Sequence, residues 1–81
     1  MPGDHIKAKM DAHGMTQARL AMLMGRPAEQ ISRLIRGRIA VTAETAMQLE
    51  LVFGVPAETW WNLEGEYRIA QLRAKTRLLR V

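Results

Sequence analysis

The chain has no cysteine. That excludes disulfides and thiolate metal sites. It has one serine, Ser32, with no histidine at helical spacing from it, so no local pattern marks a Ser/His nucleophile. The only histidines, His5 and His13, lie eight apart. On a helix that is roughly 12 Å along the axis, too far to share a metal. No glycine-rich phosphate loop follows a strand-like run. Glu64 and Glu66 are two apart and point to different sides of a helix, a poor acid/base pair. Neither a cofactor, a metal nor an enzymatic activity is therefore expected. No apolar run approaches about 18 residues, so no membrane span is expected. The start MPGDHIK lacks an apolar signal region, and a cytoplasmic location is the expectation. Aromatic side chains are few: Trp60, Trp61, Tyr67 and Phe53. Much of the aromatic area thus sits in the short stretch from Trp60 to Tyr67.

What is present is a globular composition, 48% apolar over 81 residues, read as a single domain spanning 1–81. The net charge of +4 is unevenly distributed. Residues 1–15 balance Lys7 and Lys9 against Asp4 and Asp11. Residues 16–42 set five arginines against Glu29 alone. Residues 43–67 hold five glutamates and no cation, and residues 68–81 hold five cations and no acid. A basic segment of this kind fits a polyanion. The acidic block fits a face kept away from it and available to a cationic partner.

The stretch Thr16–Gly37, TQARLAMLMGRPAEQISRLIRG, organises the rest. Thr16 is an N-cap residue type, and Leu20, Leu23 and Met24 recur at helical spacing. Gly25 stops the first helix, because glycine enters the left-handed region at little cost. Pro27 restarts a helix at its first turn, and Ile31, Leu34 and Ile35 form a second apolar stripe closed by Gly37. Small Ala21 lies where the helices approach most closely. This is the layout of a helix-turn-helix, over about 16–37, whose second helix can enter a DNA major groove. The alternative is a plain αα-hairpin within a bundle. The five arginines favour the former, since guanidinium binds phosphate and guanine in two-pronged fashion.

Around this pair the pattern is helical throughout. Gly3 to His13 fits a first helix with Ile6 and Met10 on one side. Thr42 caps a fourth, striped by Ala46, Leu49, Val52 and Phe53, with Glu44 in its first turn. Val55-Pro56 opens a fifth over about 57–79. On it Trp60, Leu63 and Tyr67 share one face, with Trp60 expected in the core and Trp61 partly exposed. Ile69, Leu72 and Leu79 continue a stripe with little of its own monomer to cover it. Either a partner chain covers that stripe or the tail is solvated. Trp61, Ile69, Leu72 and Leu79 are the candidate dimer contacts. The methionines Met10, Met15, Met22, Met24 and Met47 are read as ordinary core filling.

In a helix-turn-helix the early residues of the second helix reach base edges. Here those are Ala28, Glu29, Gln30, Ser32 and Arg33. Arg33 suits guanine O6 and N7, Glu29 suits cytosine N4, and Ala28 can meet a thymine methyl. Gln17, Arg26, Arg36 and Arg38 are the candidate phosphate contacts. One short helix reads few base pairs, so useful affinity calls for two half-sites and hence a homodimer.

Residues 14–54 resemble the Cro/C1-type helix-turn-helix superfamily, through TQARLAMLMG and ISRLIRG. Residues 2–70 resemble more narrowly the HigA antitoxin family. The shared features are Pro2-Gly3, the T-x-E-x-A run at Thr42, Glu44 and Ala46, and the W-x-N-L motif at Trp60, Asn62 and Leu63. The chain departs from that pattern at Arg26, usually apolar, and Pro27, usually a Ser or Thr cap. The resemblance implies an all-α, five-helix Cro/C1 (lambda repressor-like) domain with an extended C-terminal helix. It implies a dimer that binds a palindromic operator in its own promoter. It also implies neutralisation of a HigB toxin, a small basic ribonuclease of RelE type that cuts mRNA at the ribosome. Dimerisation is assigned in that family to the C-terminal helical region, here about Trp60 to Leu79. The alternatives are a stand-alone phage-type repressor, or a helical protein-interaction module without DNA binding.

Overall fold

Five helices follow one another without a strand among the described residues. A computed structural model describes residues 1–77. The helices are α1 (Pro2–Ala12), α2 (Gln17–Met24), α3 (Ala28–Ile35), α4 (Ala43–Phe53) and α5 (Ala57–Arg77). Leu79, one of the candidate dimer residues, lies outside the described residues. No helix described is long and apolar enough to cross a membrane.

The boundaries are set locally. Thr16 and Thr42 cap α2 and α4, their Oγ1 atoms accepting from the amides of Arg19 at 3.1 Å and Thr45 at 3.2 Å. The turn between α2 and α3 depends on Gly25, at φ 64° and ψ 36°. Its left-handed backbone lets Arg26 N–H reach the Ala21 carbonyl at 2.9 Å, the 6→1 bond of a Schellman motif. Pro27 departs from expectation. It stands just outside α3 as an extended N-cap (φ −60°, ψ 142°), because its carbonyl accepts from Gln30 N–H at 3.0 Å. Helix α5 starts after Pro56, where the Glu50 carboxylate accepts from Ala57 N–H at 2.9 Å.

The core joins one face of every helix: Ile6 and Met10, then Leu20, Ala21 and Met24, then Ile31 and Leu34, then Ala46 and Leu49, and finally Trp60. Val41 plugs it from the loop between α3 and α4. Trp60 is 1% exposed, and its ring lies 6.4 Å from that of Phe53. Trp61 stands beside it at 54% exposure, as one residue step on a helix turns the side chain by about 100°.

Three expectations are corrected by this packing. Leu23 is 46% exposed rather than part of the α2 stripe. The buried face of α2 is centred between Leu20, Ala21 and Met24, which leaves Leu23 about 110° away and Met22 about 150° away. Met22 and Met47 are likewise outside the core, at 63% and 61% exposed. The acidic block is not one open face. Glu64 is only 7% exposed, and Glu50 turns back to cap α5.

Helix α1 rests on α3 and α5, and α4 packs along α5. The α1–α3 contact is close because Gly3 has no side chain. A Cβ there would meet the Ile35 carbonyl oxygen at 1.8 Å. The Pro2-Gly3 pair thus seats the chain start directly on the end of α3. Beyond Arg68, every described residue of α5 is exposed, so the second half of this 21-residue helix stands clear of the body.

Candidate nucleic-acid interface

Helix α3 divides cleanly. Ile31 and Leu34 face the core, with half-buried Ile35 at their side. At 100° per residue the opposite side carries Glu29, Arg33 and Arg36, with Gln30 and Ser32 on its two shoulders. Glu29, Arg33, Arg36 and Arg38 are exposed, as are Ala28 at the first turn of α3 and Gln17 at the first turn of α2. Of the candidate base-contact and phosphate-contact residues, Gln30, Ser32 and Arg26 are half-buried and the rest are exposed.

The outward side chains hold one another. Arg33 Nη2 donates to Glu29 Oε1 at 2.6 Å, and Arg36 Nη2 donates to Ser32 Oγ at 2.7 Å. Both are spacings of four on a helix, where exposed pairs contribute only about 0.3–0.5 kcal/mol. Such contacts keep the long side chains ordered and yield readily to a stronger acceptor. No side chain caps α3; the Gln30 amide donates to the Pro27 carbonyl, and the amides of Ala28 and Glu29 are left without a capping side chain at the positive end of the helix dipole.

Arg26 behaves differently. Its guanidinium is half-buried beneath the turn. Nε donates to Gln48 Oε1 at 2.8 Å, Nη2 to Thr45 Oγ1 at 3.0 Å and Nη1 to Gln30 Oε1 at 3.3 Å. Three of its five N–H groups are thus spent within the protein, and two are left over. A groove of about 320 Å³ runs between α3 and the start of α4, with Arg26, Gln30, Arg33 and Thr42 among its walls.

The loop that leaves α3 is anchored to α5. Glu64 Oε1 accepts from Val41 N–H at 2.7 Å, and its other oxygen pairs with Arg68 Nε. Arg68 in turn reaches the Gly37 carbonyl at 3.4 Å and lies over the Tyr67 ring at 5.1 Å. The exit of α3 is consequently fixed to the long helix by a buried carboxylate.

A capped helix, a glycine turn and a second helix with an apolar inner face and a cationic outer one now stand together. The helix-turn-helix family model matches residues 6–60. The chain belongs to the helix-turn-helix family, of Cro/C1 type. It is 31% identical over 70 residues to the uncharacterized HTH-type transcriptional regulator YddM of Escherichia coli, covering 86% of this chain and 74% of that protein. Among solved structures it is similar to an addiction module antidote protein of the HigA family from Coxiella burnetii. The TM-score is 0.84 at 28% identity, over 93% of this chain and 83% of that one. The fold also matches the Pseudomonas aeruginosa antitoxin HigA, solved with the higBA promoter, at TM-score 0.89 and 24% identity over 96% and 86% of the two chains.

Two contacts that hold this helix pair in place were not read from the sequence. The Glu64–Arg68 pair carried a signal, the i,i+4 spacing of opposite charges. Nothing in the local pattern marked the bonds from Arg26 to Thr45 and Gln48, 19 and 22 residues on.

Proposed function

We propose that this protein is the DNA-binding antitoxin of a type II toxin–antitoxin pair. In this reading it binds its own operator as a homodimer, represses its own transcription, and neutralises a HigB/RelE-type mRNA-cleaving toxin. The observation that carries it is the outer side of α3, which offers Glu29, Arg33 and Arg36 to solvent from a helix tied to α4 at its entrance through Arg26 and to α5 beyond its exit through Glu64. The likeness to the Coxiella burnetii HigA-family antidote protein over 93% of the chain supports the antitoxin role.

In this assignment Ala28, Glu29, Gln30, Ser32 and Arg33 face base edges. Gln17, Arg36 and Arg38 take phosphates, along with the two spare N–H groups of Arg26. Dimerisation uses α5. Trp61, Ile69 and Leu72 are 54%, 49% and 61% exposed, and with Gly65 they fall on one side of the helix. The first half of α5 carries Glu58 and Glu66 outward, and the second half carries Arg73, Lys75 and Arg77. An antiparallel pair of α5 helices sets each acidic half against a basic one. The exposed carboxylate Glu44, on the side of α4 that carries Met47 and Leu51, suits a basic toxin.

The test is a gel shift on the native promoter, joined to a growth assay with a small basic ribonuclease-like toxin if the neighbouring genes encode one. Expected are a salt-sensitive shift with a dyad footprint and rescue of growth. A promoter left unbound at low salt, with toxicity unrelieved, overturns the reading. The YddM relative favours one rival, a stand-alone regulator. Promoter binding without rescue of growth identifies that case.

A further inference from the structure

Arg26 is the one arginine of residues 16–42 whose guanidinium is bonded to three other side chains. Its partners belong to two elements. Gln30 stands on the shoulder of α3, in the first turn of the recognition helix, while Thr45 and Gln48 stand on α4. Thr45 is 3% exposed, and its hydroxyl also meets that of Thr42, the cap of α4, at 3.0 Å. Arg26 therefore ties the entrance of α3 to a rigid, buried part of the next helix.

The consequence for Gln30 follows from donor chemistry alone. A guanidinium has donors and no acceptor, so only the oxygen of a carboxamide can face it. The Gln30 oxygen is thereby turned toward Arg26, and its NH2 end is the one directed away. A glutamine free to present both ends makes a two-pronged contact with adenine, accepting from N6 and donating to N7. A glutamine held by its oxygen offers the major groove donors, which suit guanine O6 and N7 or thymine O4.

We propose that Arg26 is a positioning residue that sets base preference through Gln30. By turning the Gln30 oxygen toward itself, it leaves the NH2 group as the end directed away, biasing that side chain toward guanine or thymine and against adenine. The inference rests on the DNA-binding reading above. Arg26 need not touch a base to act in this way.

The experiment is selection from randomised duplexes with the full-length protein as wild type, Gln30→Ala, Arg26→Leu and Gln48→Ala. Wild type is expected to enrich guanine or thymine over adenine at one position in each half-site, by roughly 5- to 150-fold. Gln30→Ala flattens that position and identifies it. Arg26→Leu keeps a selected site but gains adenine at the same position, with the others unchanged. Gln48→Ala loosens the hold on Arg26 without altering the turn and shifts the same position in the same direction, so the result does not depend on one variant folding well. A uniform loss of affinity in Arg26→Leu, with every base preference retained, overturns the proposal. So does adenine preferred at the Gln30 position in wild type, or no position altered in Gln30→Ala. Failure of wild type to enrich any sequence at low salt overturns the DNA-binding reading itself, and this inference with it.

Discussion

Replacing Arg33 by alanine separates a base contact from a stabilising surface pair. In the free protein the Arg33–Glu29 bond is short, 2.6 Å, but the two side chains are 51% and 72% exposed. A pair so open to water and one helical turn long contributes about 0.3–0.5 kcal/mol, so Arg33→Ala is expected to move the melting temperature by only a few degrees. Against a duplex the arithmetic differs. A guanidinium held in two-pronged fashion on guanine discriminates by about 1–3 kcal/mol, which is roughly 5- to 150-fold in Kd. The loss must be confined to duplexes carrying the right base at one position per half-site. Fluorescence anisotropy on the native promoter and on single-base variants measures this directly, with thermal denaturation on the same samples. Glu29→Ala completes a cycle. The coupling between the two positions is expected to stay under about 0.5 kcal/mol in the free protein. Equal weakening of Arg33→Ala on every duplex refutes the reasoning and makes Arg33 a phosphate contact. An unchanged affinity refutes it more completely.

Three further outcomes test the scaffold that aims α3. Gly3→Ala places a methyl group 1.8 Å from the Ile35 carbonyl oxygen and 2.9 Å from its Cα, both backbone atoms, so the helices must part. The expected cost is about 2–3 kcal/mol, or a melting temperature lower by roughly 10–20 °C, read by circular dichroism. Glu64→Ala leaves the buried Val41 amide without its acceptor and is expected to cost about 1–3 kcal/mol in urea unfolding, whereas Glu64→Gln keeps an acceptor and costs less. Trp60 is fully buried, yet its Nε1–H has no partner among the described residues. Trp60→Phe removes that unsatisfied donor while leaving a small void. The two effects oppose, and the net change is expected within about 1 kcal/mol, against about 3–5 kcal/mol for Trp60→Ala.

The helix pair was legible because its signals are local. Thr16 and Thr42 cap helices through bonds three residues long, and Gly25 turns the chain by a conformation that its missing Cβ permits. The stripe Ile31, Leu34 and Ile35 points inward because the helical repeat puts these residues on one side, and the same repeat puts Glu29, Arg33 and Arg36 on the other. Leu23 lies outside the core because a short helix buries only the middle of its apolar arc, and Met22 and Met47 lie outside it because methionine content by itself carries no direction. The net charge of a segment is equally blind to direction: Glu50 and Glu64 turn back onto the backbone amides of Ala57 and Val41.

From its own pattern the sequence determined the five helices, the glycine turn, the cationic outer side of α3 and the burial of Trp60 beside an exposed Trp61. Each of these follows from side-chain size, backbone freedom or a period of 3.6 residues. Only the tertiary structure decided that Arg26 faces inward, that Glu64 holds the exit of α3, and that Gly3 is a point of backbone contact. Those interactions join residues 19 to 32 positions apart, and their energy exists only once separate helices have been brought within a few ångströms.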